Sequence, residues 1–142
     1  MKALILNGSP HPQGVVVQAL RTAADTLRQA GADIERSDAY STEFRPCTGC
    51  MQCRATNVCP LPRDAAHAVG ERIRQAGLPV VGTPTYWGGM SARLKMLFER
   101  IVPGYIGESA TGLPPHRQKG KRELVIAART KHWYFHTLSK AT

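Results

Sequence analysis

Cys47, Cys50, Cys53 and Cys59 stand in one short stretch with the spacing Cys-x2-Cys-x2-Cys-x5-Cys, and Pro60 follows the last. Thiols stepped three residues apart wrap a tight turn, which is what an iron–sulfur cubane needs from one loop, and the spacing is close to that of bacterial ferredoxins. Gly49 and Pro46 help such a turn close. Four thiolates also satisfy tetrahedral zinc, and four unligated thiols are a third reading that the spacing leaves open. A disulfide framework does not suit a reducing compartment.

Two other stretches are built for ligand contact through backbone. One is Asn7-Gly8-Ser9-Pro10-His11-Pro12-Gln13-Gly14; the other runs from Gly82 through Pro84, Thr85, Tyr86 and Trp87 to Gly88 and Gly89. Glycines, here Gly82, Gly88 and Gly89, let a chain approach a ligand closely. Tyr86 and Trp87 offer ring faces to a flat aromatic ligand whose polar edge backbone N–H groups can bond. A strand, a Gly/Ser loop and a helix in succession aim several N–H groups and a positive helix end at a phosphate. Neither the Walker spacing nor G-x-G-x-x-G is present.

The elements that must position these loops are legible as periodicity. Apolar, strand-length runs predict strands over 2–6, 33–38, 78–83 and 121–128. Val16, Leu20, Ala23, Leu27 and Ala30 fall on one face and predict a helix over 15–30, with Gly31 ending it. Asp64 reads as the N-cap of a helix over 64–76 that turns Val69, Ile73 and Ala76 inward. Ser91 reads as the N-cap of a helix over 91–101 carrying Leu94, Leu97, Phe98 and Ile101. A long loop over 39–63 holds the cysteines, a Gly/Pro-rich loop spans 102–120, and an aromatic, basic tail spans 129–142. Strands alternating with helices imply right-handed βαβ units and a parallel sheet covered on both faces. Ligands then bind beyond the carboxyl ends of the strands, where both Gly-rich loops lie.

The 142 residues suit one domain, 1–142, and 42% apolar content is ordinary for a globular protein. No run approaches the ~20 apolar residues of a membrane span. The short run Ala3 to Leu6 is no signal-peptide core, so a cytoplasmic location and no membrane partner are expected. The net charge of +9 is uneven: seven Lys/Arg against six Asp/Glu through Asp64, but ten against three from Arg93 onward. Arg117, Lys119, Lys121 and Arg122 form the densest patch. Without a zinc-finger, helix-turn-helix or RNA-binding motif, the patch predicts a solvated face or a phosphorylated cofactor rather than nucleic acid. His67 reads as a satisfied residue rather than a ligand, and His116, His132 and His136 share no ligand spacing. Met90 and Met96 read as core filler, and Trp133, Tyr134 and Phe135 as a cap over the sheet edge.

On these residues the chain resembles the NADPH-dependent FMN reductase group of flavodoxin-like proteins, and most of all its iron–sulfur flavoprotein branch. Gly8-Ser9-Pro10 with Gly14 resembles the family's phosphate loop. Gly82-Thr83-Pro84-Thr85-Tyr86-Trp87 with Ser91, Leu94 and Lys95 resembles its flavin-ring loop, and the four cysteines resemble its compact cysteine motif. Some flavin reductases of this group keep such cysteines without a cluster. The resemblance implies a three-layer αβα sandwich with strand order 2-1-3-4. The family continues into a fifth strand, so a truncated or naturally shortened member with an open edge at the fourth strand is expected. It implies FMN held by Gly8, Ser9, His11, Gly14, Val15 and Val16 at the phosphate, and by Pro84, Thr85, Tyr86, Trp87, Gly88 and Gly89 at the ring. Cys47, Cys50, Cys53 and Cys59 are the implied [4Fe–4S] ligands. Val15 and Val16 stand where the family carries Asn and Ser/Thr, and His11 where it often carries a basic residue, which leaves Ser9 and backbone N–H groups for the phosphate. The implied reaction passes hydride from NAD(P)H to FMN and electrons on to a quinone, a free flavin or a redox protein, with no general acid or base. The open edge and flat ring pocket imply a homodimer or homotetramer. A non-catalytic electron carrier and a zinc-stapled binding module with a basic face are the alternatives.

Overall fold

The computed structural model describes residues 1–105 and 120–130. The Gly/Pro loop over 106–119 with His116, Arg117 and Lys119, and the tail beyond residue 130 with His132, Trp133, Tyr134, Phe135 and His136, lie outside them.

Four parallel strands form one sheet in the order β2-β1-β3-β4, as the resemblance implied. They are β1 (Lys2–Asn7), β2 (Asp33–Asp38), β3 (Leu78–Pro84) and β4 (Leu124–Ala128), joined by α1 (Val15–Gln29), α2 (Cys53–Thr56), α3 (Ala65–Gln75) and α4 (Ala92–Ile101). A single 3-10 turn, Val102–Gly104, extends α4. The central strands are apolar on both faces because helices cover both. Ile5 and Val80 pack with Val16, Leu20 and Ala24 of α1, whereas Leu4 and Leu6 pack with Val69 and Ile73 of α3 and Leu94, Leu97 and Ile101 of α4. One truncation among these buried leucines costs about 2–5 kcal/mol. β4 starts at Leu124, three residues later than the apolar run suggested, and Leu124 and Val125 are exposed.

Gly31, at φ +81°, sits just past the C-cap of α1, as its position in the periodicity suggested. Gly82 falls within the strand expected over 78–83, at a point where packing demands glycine. It lies inside β3, and a Cβ there would meet Leu20 Cδ1 at 2.5 Å and Val16 Cγ1 at 2.9 Å. The missing side chain lets α1 approach the sheet.

Because the sheet is parallel, every strand-to-helix connection lies at its carboxyl rim. The 8–14 loop after β1, the 39–63 loop after β2 and the 85–91 loop after β3 therefore share one end of the molecule.

Candidate functional site at the carboxyl rim of the sheet

The loop after β1 is ordered from within. Asn7 Oδ1 accepts from Ser9 N–H at 2.9 Å, while Asn7 Nδ2 donates to Asp38 Oδ2 at 2.6 Å and to Ser9 O at 3.2 Å. Ser9 is buried and its Oγ accepts from His11 N–H at 3.2 Å; Gly14 N–H donates to His11 O at 3.1 Å. Gly14 is the N-cap of α1 in extended conformation, and no side chain caps the helix or adds acid to its first turn. The N–H groups of Val15, Val16 and Val17 thus have no intrahelical acceptor. Val16 is buried in the core below them, Val15 is exposed beside them, and His11 is exposed on the loop. An uncapped fifteen-residue helix with free N–H groups behind a buried serine fits a phosphate.

The loop after β3 is a tight hairpin. Tyr86 N–H donates to Gly89 O at 2.9 Å and Gly89 N–H to Tyr86 O at 3.0 Å. Trp87 (φ +50°) and Gly88 (φ +81°) both occupy the left-handed region, which is the two-residue turn that favours Gly at its second position. Thr85 N–H donates to Ala128 O at 2.7 Å, so β4 anchors the base of the hairpin, and Pro84 is buried at the end of β3. The N–H groups of Thr85, Tyr86 and Gly89 are therefore engaged within the protein, while those of Trp87 and Gly88 point from the tip. Trp87 is 106% exposed and Tyr86 45%. A fully exposed tryptophan on a turn with positive φ gains nothing from the fold itself, which fits a flat ring as its partner.

The two loops meet at one place. Gly8 N–H donates to Gly82 O at 2.7 Å, and Ser91 Oγ donates to Gly8 O at 2.5 Å. Ser91 N–H in turn donates to Thr83 Oγ1 at 3.0 Å. Ser91 is the N-cap residue by position, as the sequence suggested, but its side chain makes no cap hydrogen bond and reaches across to the neighbouring loop. A Cβ on Gly8 would meet Leu94 Cδ2 at 2.6 Å, so Gly8 serves this junction.

The cysteine loop occupies the third position on the rim. Gly49 N–H donates to Cys47 Sγ at 3.4 Å, and Gly49, Met51 and Asn57 all have left-handed backbone, which folds the loop back on itself. α2, one turn begun by Cys53, was not foreseen from the sequence. Cys47 and Cys50 are exposed, Cys53 and Cys59 half-buried. Burial, with the charges of Cys59, Cys47 and Cys50 behind it, raises the Cys53 thiol above the ordinary value, so the four sulfurs share one electrostatic neighbourhood. No three Cys, His, Asp or Glu side chains among the described residues converge to hold one metal ion. Zinc or a cluster would each require these thiols to draw together, and the N–H donated to Cys47 suits a ligand thiolate of either.

Three roles escaped the sequence reading. Arg93 donates through Nε to Ala39 O at 3.1 Å and through Nη2 to Thr42 O at 2.6 Å, with its guanidinium 4.1 Å from the Phe44 ring centroid, so it ties the entrance of the cysteine loop to α4. Arg100 is a charged residue three positions after Leu97 on the apolar face of α4, the one sign of its burial visible in the sequence. Asp64 does cap α3, accepting from Ala66 N–H at 3.1 Å, but it also pairs with Arg100 at 2.8 Å. Burial pushes the Asp64 carboxyl up; the Arg100 and Arg45 hydrogen bonds outweigh it and leave the group below the usual carboxylate range. His67 is satisfied, as expected. With its proton on Nε2, Nδ1 accepts from Asp64 N–H at 3.2 Å and Nε2 donates to Cys59 O at 3.3 Å.

Residues 1–128 match the family model of the NADPH-dependent FMN reductases. The chain is 34% identical over 107 residues to an iron-sulfur flavoprotein of Methanocaldococcus jannaschii, covering 75% of this chain and 55% of that protein. It is 28% identical over 102 residues to an iron-sulfur flavoprotein of Methanosarcina thermophila, covering 72% and 53%. It thus spans about half the length of these relatives. Among solved structures, the NAD(P)H:quinone oxidoreductase from Methanothermobacter marburgensis superposes with a TM-score of 0.77 at 20% identity, covering 98% of this chain and 72% of that one. An FMN-dependent NADH-azoreductase from Bacillus anthracis in complex with FMN gives 0.70 at 15%, covering 95% and 74%. At these identities the likeness concerns the fold. No helix among the described residues is long and apolar enough to cross a membrane.

Proposed function

This chain belongs to the NADPH-dependent FMN reductase family, and from that premise we propose that it binds FMN at the carboxyl rim and serves as an NAD(P)H-dependent oxidoreductase. Bound FMN would supply the redox chemistry, accepting hydride from a reduced nicotinamide and returning electrons to a quinone, a free flavin or a redox protein. The observation that carries the reading is the junction of the two rim loops: free N–H groups at the start of α1, an exposed Tyr86–Gly89 hairpin, and Ser91 tying one to the other.

In this reading Val15, Val16 and Val17 N–H groups and Ser9 hold the phosphate, and backbone does the work that family side chains do elsewhere. Gly14 keeps the approach open, and His11 adds positive charge when protonated. Trp87 and Tyr86 cover the ring, while the Trp87 and Gly88 N–H groups reach its polar edge. No side chain at the rim need move a proton, because the cofactor carries the difficult step.

We further read Cys47, Cys50, Cys53 and Cys59 as ligands of an iron–sulfur cluster. The relatives bear the name iron-sulfur flavoprotein, the donor set is four thiols on one loop, and the loop opens on the same rim as the flavin loops. Such a cluster passes electrons one at a time and makes single-electron carriers suitable acceptors.

The test is the visible spectrum of protein purified without air, followed by NADH and NADPH oxidation with a quinone acceptor. Yellow flavin bands, broad brown cluster absorption and steady turnover are expected. Flavin bands without turnover would make the protein an electron carrier. Colourless protein that stays colourless with excess FMN would overturn the assignment.

A further inference from the structure

We propose that Arg100 is the positioning residue of the cysteine loop: from α4 it closes the neck of the loop that carries Cys47, Cys50, Cys53 and Cys59. The assignment goes beyond the proposed oxidoreductase function and depends on the cluster only for one of its readouts.

The loop between Arg45 and Asp64 has a closed neck. Arg45 N–H donates to Asp64 Oδ2 at 3.1 Å, which joins the two ends directly. The Arg100 guanidinium fills the same neck. Its Nη1 donates to Arg45 O and to Asp64 Oδ2 at 2.8 Å, and its Nη2 to Asp64 Oδ1 at 3.1 Å. One planar fork thus grips the residue before the loop and the residue after it, a geometry that lysine cannot reproduce. The Arg100 side chain is 0% exposed, so this is a desolvated pair.

The fourth cysteine is held through its carbonyl. His67 Nε2 lies 3.3 Å from Cys59 O. Arg100 and Cys59 also line one cavity of about 490 Å³ between the loop, α3 and α4. The Asp64 carboxylate holds the Arg100 guanidinium charged in spite of its burial. Cys47 and Cys50 are exposed, and Cys47 Sγ accepts from Gly49 N–H within the loop itself. The loop is therefore anchored at its second half and open at its first. That arrangement lets the first two cysteines move onto an incoming group while Cys59 stays fixed. A cation that lines the same cavity as a ligand cysteine also favours the more negative, reduced form of any cluster bound there.

The experiment compares wild type, Arg100→Lys and Arg100→Met. Hydrogen exchange over residues 46–63 is measured in metal-free protein, with exchange over β1 and β3 as the check on the fold. Where Arg100→Met fails that check, Arg100→Lys carries the comparison. The expected result is at least tenfold faster exchange in 46–63 for Arg100→Met, an intermediate value for Arg100→Lys, and no change in β1 and β3. After anaerobic reconstitution with iron and sulfide, Arg100→Met should lower the reduction potential and Arg100→Lys restore most of the loss. Unchanged exchange in 46–63 in both variants overturns the proposal. Wild type that takes up no iron and sulfide overturns the cluster assignment alone, because the exchange readout uses metal-free protein.

Discussion

Ser91 Oγ donates to the Gly8 carbonyl at 2.5 Å, joining residues 83 positions apart in the chain and both buried. The bond links the N-terminus of α4 to the loop that precedes α1. With the Gly8 N–H to Gly82 O bond it makes the two rim loops one unit. A ligand that spans both loops then meets a spacing fixed beforehand, which lowers the ordering cost of binding.

Ser91→Ala should therefore act on both stability and affinity. It strands a buried carbonyl, at a cost of about 1–3 kcal/mol. It also frees the two loops to move apart, and FMN affinity should drop about tenfold, equivalent to ~1.4 kcal/mol. Urea unfolding and quenching of flavin fluorescence measure the two effects. Equal FMN affinity in the variant would mean that the junction is structural only.

Trp87 separates binding from folding in the opposite sense. Its side chain is fully exposed and its backbone sits at φ +50°. Trp87→Ala should change unfolding free energy by no more than about 0.5 kcal/mol. Loss of a stacked ring should raise the FMN dissociation constant roughly three- to tenfold, the equivalent of ~0.5–1.5 kcal/mol, and Trp87→Phe should recover most of it. An FMN titration indifferent to both substitutions would remove Trp87 from the ring site.

Gly82 supplies a packing test. A Cβ there would come within 2.7 Å of Leu20 Cγ, so Gly82→Ala should destabilise the protein by about 1–3 kcal/mol through overpacking. In a Leu20→Ala background the same substitution should cost less, because the two nearest clashing atoms are gone and only the Val16 Cγ1 contact remains. Additive effects in the double-mutant cycle would contradict the close approach of α1 to β3.

What the sequence made legible follows the range of the interactions. The stripes Val16–Leu20 and Val69–Ile73, the cap at Asp64 and the parallel direction of the strands rest on local periodicity and connection rules, and all are present in the fold. The packing role of Gly82 was opaque because a glycine that admits a ligand and one that admits a leucine look alike along the chain. Ser91 and Arg100 were opaque for the same reason: their partners, Gly8 and Arg45, lie 83 and 55 residues away. A charge on the apolar face of α4 announces that Arg100 needs a partner but does not say which one. The hairpin form of the loop after β3 is not legible in the sequence because Trp87, a bulky residue, takes a left-handed conformation normally left to Gly or Asn.

The Asp64–Arg100 pair sets an acid limit on stability. The folded carboxyl titrates below its unfolded value, near 3.9, so its contribution is fully present above that unfolded pKa. It fades as pH falls through the lower, folded value, where both states become protonated. Asp64→Asn keeps a good N-cap for α3 but leaves the buried guanidinium without its counter-charge, at a cost on the order of 3 kcal/mol near neutrality. Urea midpoints measured from pH 7 down to pH 3 should then show wild type well above the variant at pH 7 and the two curves converging in acid. Curves that stay parallel over that range would mean that ionisation of Asp64 does not stabilise the fold, and that the carboxylate serves α3 as a cap alone.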